Sequence, residues 1–281
     1  MRNLHLLSTA MLCASVLIVS CGSNKNGSEN QATTIASSDT TPVNQEAQFK
    51  FDFAIGNLPN SSMVLGEISK AELPVNTALL NATDNVDKYA TSLKQSFNFG
   101  IYGVDLGYLV VNSRLPEMLD YLSCTKKLAD KLNLSETYNE FVNRFTSNRD
   151  NKDSLEVINL EAYTATEKYL KTNERLVSAT EVLTGSWLEG QYLTVNLLKA
   201  ENRSEKNEAM YERVYEQGLH LGHIIEIFNE LKNDTELMDF KKDFDDLLTM
   251  YKELHSSKDV TKDYLEKLSG KITAVRSRIV N

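Results

Sequence analysis

The chain has 281 residues, 41% hydrophobic and 25% charged, with 30 Lys and Arg against 39 Asp and Glu and a formal net charge of −9. That is apolar material for a sizeable core, and the acidic balance argues against a nucleic-acid partner, because phosphate binding needs a Lys/Arg excess to displace counterions. All four prolines lie between Pro42 and Pro116, which suits long helices better than a turn-rich all-β fold.

Residues 1–20 read as a signal peptide. Arg2 supplies the positive end and Leu6 to Val19 the apolar run, which is too short for a stable spanning helix. The run ends in Ile18-Val19-Ser20-Cys21, which resembles the lipobox cut by bacterial lipoprotein signal peptidase. The Cys21 thiol then carries diacylglycerol, and acyl chains contributing about 0.8 kcal/mol per buried methylene anchor it firmly once two or three are present. With Cys13 removed and Cys21 acylated, Cys124 has no disulfide partner in its own chain. Set among Tyr121, Leu122 and Leu128, it reads as a small buried hydrophobe.

Residues 21–50 read as the lipidated cysteine and a flexible tether. Gly22 to Lys50 is mostly Ser, Thr, Asn, Gln, Gly and Ala, too poor in apolar area to offset its ordering entropy, and such a segment spans about 30 Å r.m.s.. Gly22 follows Cys21 and no acidic cluster comes next. By resemblance to lipoprotein sorting rules this favours the periplasmic leaflet of the outer membrane, with the cell surface as the alternative.

Residues 51–281 read as one all-helical domain, an antiparallel multi-helix bundle. The alternation Phe49-Lys50-Phe51-Asp52-Phe53-Ala54-Ile55 is strand-like, but without a partner run it is expected to be an extended arm. A loop from Gly56 to Pro74 encloses a short helix near Ser62 to Ala71. A helix is predicted from about Asp84 to Asn112, and the next starts with Pro116 in its first turn and ends near Asn133. Ser135 is expected to cap a helix to about Thr146, and Asn148 to Asn151 form a turn and cap. Leu155, Ile158, Ala162, Ala165 and Tyr169 recur at steps of three and four. A helix from Glu174 to Glu201 is expected to be interrupted at Gly185 and Gly190.

The last third carries three stripes. They are Tyr211, Val214, Gly218, Leu221, Ile225 and Phe228; Leu237, Phe240, Phe244, Leu247, Tyr251 and Leu254; and Tyr264, Leu268, Ile272, Val275 and Ile279. The most apolar internal segment, Phe97 to Ser113, contains Asp105 and is not read as a membrane span.

Two segments could hold a polar site. Gly100, Gly103 and Gly107 fall near one helix face; each glycine costs about 1 kcal/mol in a helix interior, so another element is expected to cross closely there. Tyr102, Asp105 and Tyr108 lie between and beside them. Thr184 to Tyr192 similarly sets Trp187, Glu189 and Tyr192 among Gly185 and Gly190. The two segments are expected to pack together and bury Asp105 and Glu189, each of which then needs a hydroxyl, amide or cationic partner. A structural pairing and a ligand-binding carboxylate remain the two readings. On sequence alone, Asp105→Asn is expected to lower the melting temperature in the first case, and to leave it unchanged or raise it in the second.

Glu216, His220, His223 and Glu226 step by four, three and three along one helix. A metal would need further ligands from a second helix, and no H-E-x-x-H or CxxC occurs. Neither metal nor cofactor is expected, His220 and His223 being the only candidates. No G-x-S-x-G, Cys/His pairing or strand-linked phosphate loop is present, so no catalytic residue is assigned. Asp245-Asp246 falls on a solvated helix face.

Phe99 to Tyr108, Lys127-Leu128-Ala129-Asp130, Asn148 to Ser154 and Thr184 to Gly190 resemble a family of helical lipoproteins from Bacteroidetes, over roughly residues 55 to 200. That family carries no assigned activity, so the resemblance implies class and address without catalytic residues. The expected function is a lipid-anchored envelope protein that binds or scaffolds an envelope protein or small molecule and is not an enzyme. The alternative is a small-molecule or metal-binding periplasmic domain.

Overall fold

A helix buried on nearly every side belongs at the centre of a bundle, and two helices here meet that description. In the computed structural model, sixteen of the residues of α3 (Ser92–Val111) are buried, as are twenty of those of α7 (Leu176–Ala200). They pack on each other at the middle of an all-α multi-helix bundle. The structure describes residues 45–56, 61–173 and 175–281, all within the compact unit Ser37–Asn281. The signal peptide, Cys21 and the tether as far as residue 44 lie outside the described residues.

The remaining helices are α1 (Gln45–Gly56), α2 (Ser61–Lys70), α4 (Leu115–Lys131), α5 (Ser135–Ser147), α6 (Lys152–Thr172), α8 (Glu208–Glu230), α9 (Thr235–Lys252) and α10 (Lys262–Val280). Short 3-10 turns occur at Thr77–Leu79, Thr83–Lys88 and Ser257–Asp259. No strand occurs among the described residues, and no helix among them is long and apolar enough to cross a membrane.

Local chemistry explains most boundaries. Thr91, Asn151, Asp234 and Thr261 each accept a backbone N–H of the first turn of α3, α6, α9 and α10. Pro116 sits in the first turn of α4. At the ends of α3 and α4, Ser113 and Asn133 take left-handed backbone (φ 56° at both). Arg114 N–H then reaches Leu109 O and Leu134 N–H reaches Ala129 O, closing each helix with a Schellman turn. The three C-terminal stripes line the buried faces of α8, α9 and α10, with Leu254 buried just beyond the end of α9 and Gly218 and Tyr264 at half-buried margins.

Four local expectations are corrected. The arm at Phe49–Ile55 is helical, and α1 begins at Gln45, inside the stretch read as tether. Helical geometry turns Phe51 inward to full burial and leaves Phe49 and Phe53 outward, so alternating phenylalanines mark two faces of one helix. The helix predicted from Asp84 is a 3-10 turn, and α3 begins only at Ser92, after its Thr91 cap. Ser135 is the first residue of α5 rather than its cap; its hydroxyl donates to Asp130 instead. Finally, α7 runs unbroken through Gly185 and Gly190.

That continuity follows from packing. A Cβ on Gly185 would lie 2.1 Å from Phe97 O, and one on Gly100 would lie 2.1 Å from Val182 O. The two backbones touch where neither residue has a side chain. Gly103 has nothing within 4 Å of its Cβ position, and Gly107 meets Leu65 and Asn159 of α2 and α6. The three glycines of α3 therefore do not share one crossing partner, as their spacing had suggested.

Candidate functional site

Asp105 on α3 and Glu189 on α7 are brought together in the core, both fully buried. The cation is Arg276 of α10, whose Nε donates to Glu189 Oε2 at 2.5 Å and Nη2 to Oε1 at 2.8 Å. Such a fork is the strongest geometry for pairing a carboxylate. Arg276 Nη2 also donates to Leu79 O at 3.3 Å, and its guanidinium lies 4.2 Å from the ring centre of half-buried Tyr192.

Asp105 Oδ2 accepts the backbone N–H of Asn81 at 3.0 Å. Its Oδ1 receives no donor from an amide, hydroxyl or cation, and the Asp105 side chain lies next to the Glu189 carboxylate. Two carboxyl groups bond only through a shared proton. Burial, then the charge of Glu189, hold Asp105 protonated well above the usual carboxylate range, against the opposing pull of Arg276 and the Asn81 N–H. Burial alone would lower the Arg276 pKa, but Glu189 overcomes it and raises the value. With that proton held, the cluster comprises one proton, two carboxyls and one guanidinium, and its charges sum to zero.

Around it a polar network ties down residues 76–89. Asn81 Nδ2 donates to Tyr89 Oη at 2.9 Å and to Asn98 Oδ1 at 3.2 Å. Asn98 Nδ2 donates to Ile279 O at 3.1 Å, reaching the end of α10. Tyr102 Oη donates to Ala82 O at 2.7 Å, and Tyr108 Oη accepts the Asn76 N–H at 3.0 Å. Burial raises the phenol pKa of Tyr102, Tyr108, Tyr89 and Tyr192. These side chains act as hydrogen-bonding props.

Of the residues singled out from sequence, Asp105, Glu189 and Tyr192 meet at Arg276, while Tyr102 and Tyr108 hold the adjoining strap. Trp187 faces elsewhere: its indole N–H donates to Gln217 Oε1 at 2.9 Å, and its ring packs on Phe244 and Tyr251. Arg276, Asn81 and Asn98 were missed. The available signal was an arginine set between Ile272 and Ile279 in the apolar stripe of α10, where a cation needs a buried anion.

His220 and His223 are half-buried on α8 between exposed Glu216 and Glu226. Glu216 pairs with Arg213 at 2.8 Å, and the His223 ring meets Phe53 edge-on at 5.6 Å. Among the described residues no group of three or more His, Cys, Asp or Glu is placed to hold a metal ion. Cys124 is buried 3.7 Å from Thr83 O, and burial pushes its thiol up to about 11. Asp245 and Asp246 are paired with Lys241, Lys242 and Lys271. An open pocket of about 340 Å³ lies against α5 and α6, lined by Arg144, Asn148, Asp153, Ser154, Val157 and Ile158. None of these belongs to the buried cluster.

Compared with protein-family models, curated proteins and solved structures, the chain matches none.

A protonated Asp105 makes the amide test behave differently from the expectation drawn from sequence. Asparagine can keep the Asn81 bond through its oxygen and donate to Glu189 through its NH₂ group, so it suits the clamp as well as the acid does. The sign of the pH effect follows. A folded-state pKa above the unfolded value gives stability that is complete below about pH 4 and is lost as pH rises toward the folded value. Asp105→Asn should therefore gain on the wild type as pH rises from about 4 through neutrality, by at most about 1.4 kcal/mol per pH unit. Urea unfolding of both proteins across that range measures it; a difference independent of pH would contradict the shared proton.

Proposed function

We propose that this is a lipid-anchored protein of the bacterial cell envelope, held at the periplasmic face of the outer membrane through Cys21. In this reading its helical domain binds or scaffolds an envelope partner and is not an enzyme. The observation that carries it is Ile18-Val19-Ser20-Cys21 at the end of the N-terminal apolar run, the residue pattern that diacylglyceryl transfer and signal cleavage demand. Kinship with the helical Bacteroidetes lipoproteins that the motifs resemble belongs to the same proposal. The buried carboxyls and guanidinium are occupied with one another and with backbone groups, so this reading assigns the binding or scaffolding role to the surface of the domain and not to that cluster.

Metabolic labelling with radioactive palmitate and membrane fractionation test the anchor together. The wild type should carry label and sediment with the outer membrane, and Cys21→Ala should lose the label. Label retained in Cys21→Ala would overturn the proposal.

A further inference from the structure

Surface helices normally turn apolar residues inward and polar ones outward, and α1 breaks that rule. Phe51 is fully buried, with Lys171 Nζ 6.0 Å from its ring centre. Yet Phe49 is 70% exposed and Phe53, one turn on, is 54% exposed. The helix runs along α8 in the opposite sense, with Lys50 paired to Glu230 at 2.5 Å and Phe53 against His223. One turn from His223 on α8 stands Leu219, 65% exposed, followed at the next turn by Tyr215. Four large apolar side chains thus form an outward ridge across two helices. Isolated exposed apolar residues need no explanation, but a ridge of them marks a contact surface.

The position of the ridge in the chain selects its occupant. Gln45, where α1 starts, follows Cys21 by 24 residues. On the tether reading of the sequence, a connection of that length would span about 25–30 Å r.m.s. and would hold α1 at millimolar effective concentration over the surface carrying the anchor. We propose that the α1–α8 ridge docks on that phospholipid surface, inserting Phe49, Phe53 and Leu219 shallowly at the headgroup–acyl boundary. This rests on the lipid anchor of the preceding proposal.

The charges indicate which lipid. Asp52 is paired with Lys171 at 2.6 Å and Glu230 with Lys50, and exposed Glu226 adds a negative charge beside them. With no basic excess among the described residues of this patch and a net charge of −9, attraction to anionic lipid is not the driving force, and burial of aromatic and aliphatic surface is. Zwitterionic phospholipid is the surface that fits. A second copy fits less well: at 70, 54, 37 and 65% exposure, four side chains of at most about 150–250 Å² each offer about 350–550 Å², short of the roughly 800 Å² per partner of a stable interface.

Tryptophan fluorescence tests this, because the only native indole, Trp187, is buried at 8% exposure. Acylated mature protein carrying Phe49→Trp, and separately Leu219→Trp, is added to phosphatidylcholine vesicles with or without brominated acyl chains. Both variants should shift to the blue on vesicle addition and lose emission to bromine, the wild type should do neither, and added phosphatidylglycerol should not strengthen the effect. Vesicle-bound, acylated variants whose emission is unshifted and unquenched overturn the docking and leave the anchor standing. A blue shift that needs no vesicles also overturns it, in favour of a second copy if it grows with protein concentration and of the chain's own preceding segment if it does not. An acyl mass missing from the mature protein overturns the anchor, and this inference with it.

Discussion

Arg276→Met should destabilise the domain by about 3–5 kcal/mol, the usual cost of leaving a buried charge without its partner. For a domain of this size that is about 6–20 °C in melting temperature. Methionine fills much of the guanidinium's volume, so the loss reports electrostatics more than a cavity. Three things go at once: both bonds to Glu189, the donor to Leu79 O, and the cation stacked on Tyr192. The same physics predicts that removing both charges, in Glu189→Leu/Arg276→Met, recovers most of the loss, since apolar replacements of buried pairs are often neutral or better. Urea unfolding of the two single variants and the double gives the coupling. If the pair instead served a ligand, the single changes would be tolerated or stabilising, as groups kept for function often are.

The second large effect concerns the α3–α7 crossing. Gly185→Ala and Gly100→Ala each place a methyl carbon 2.1 Å from a backbone oxygen of the facing helix, where no side-chain rotation can relieve the clash. The helices must separate, and the buried pair on the same two helices must follow. Each substitution should cost about 1–3 kcal/mol or more, outweighing the gain of about 1 kcal/mol that alanine brings to a helix interior. Gly103→Ala on the same helix meets nothing within 4 Å and should stabilise by a fraction of that gain. Thermal melts of the three variants decide the point, and destabilisation by Gly103→Ala equal to that by Gly100→Ala would defeat the close-crossing account.

Much of this was readable from residue order. The helical class, the stripes of α8 to α10, the Pro116 start and the Asn151 cap are local signals, and the structure has them where periodicity and capping place them. The glycine-flanked Asp105 and Glu189 were legible as a buried pair, because glycines among aromatics point to close packing and a carboxylate there must be satisfied. What was not legible depended on distance in the chain. Arg276 lies 87 positions from Glu189, and only the fold sets them face to face. The phenylalanines of α1 alternate as they would in a strand, and a bundle with an outward apolar ridge accommodates them as a helix. Gly185 and Gly190 looked like interruptions because helix propensity penalises them, whereas the crossing with α3 requires Gly185 to have no side chain.

The account holds that the buried cluster is neutral and closed, a clamp among α3, α7 and α10 rather than a binding site. Infrared spectroscopy of the carboxyl stretch at neutral pH tests this most directly. A protonated carboxylic acid band should be present in the wild type and missing in Asp105→Asn. If the wild type shows no such band, both carboxylates are ionised. The cluster then carries a net negative charge that Arg276 alone does not neutralise, and it would call for a cation from outside the chain.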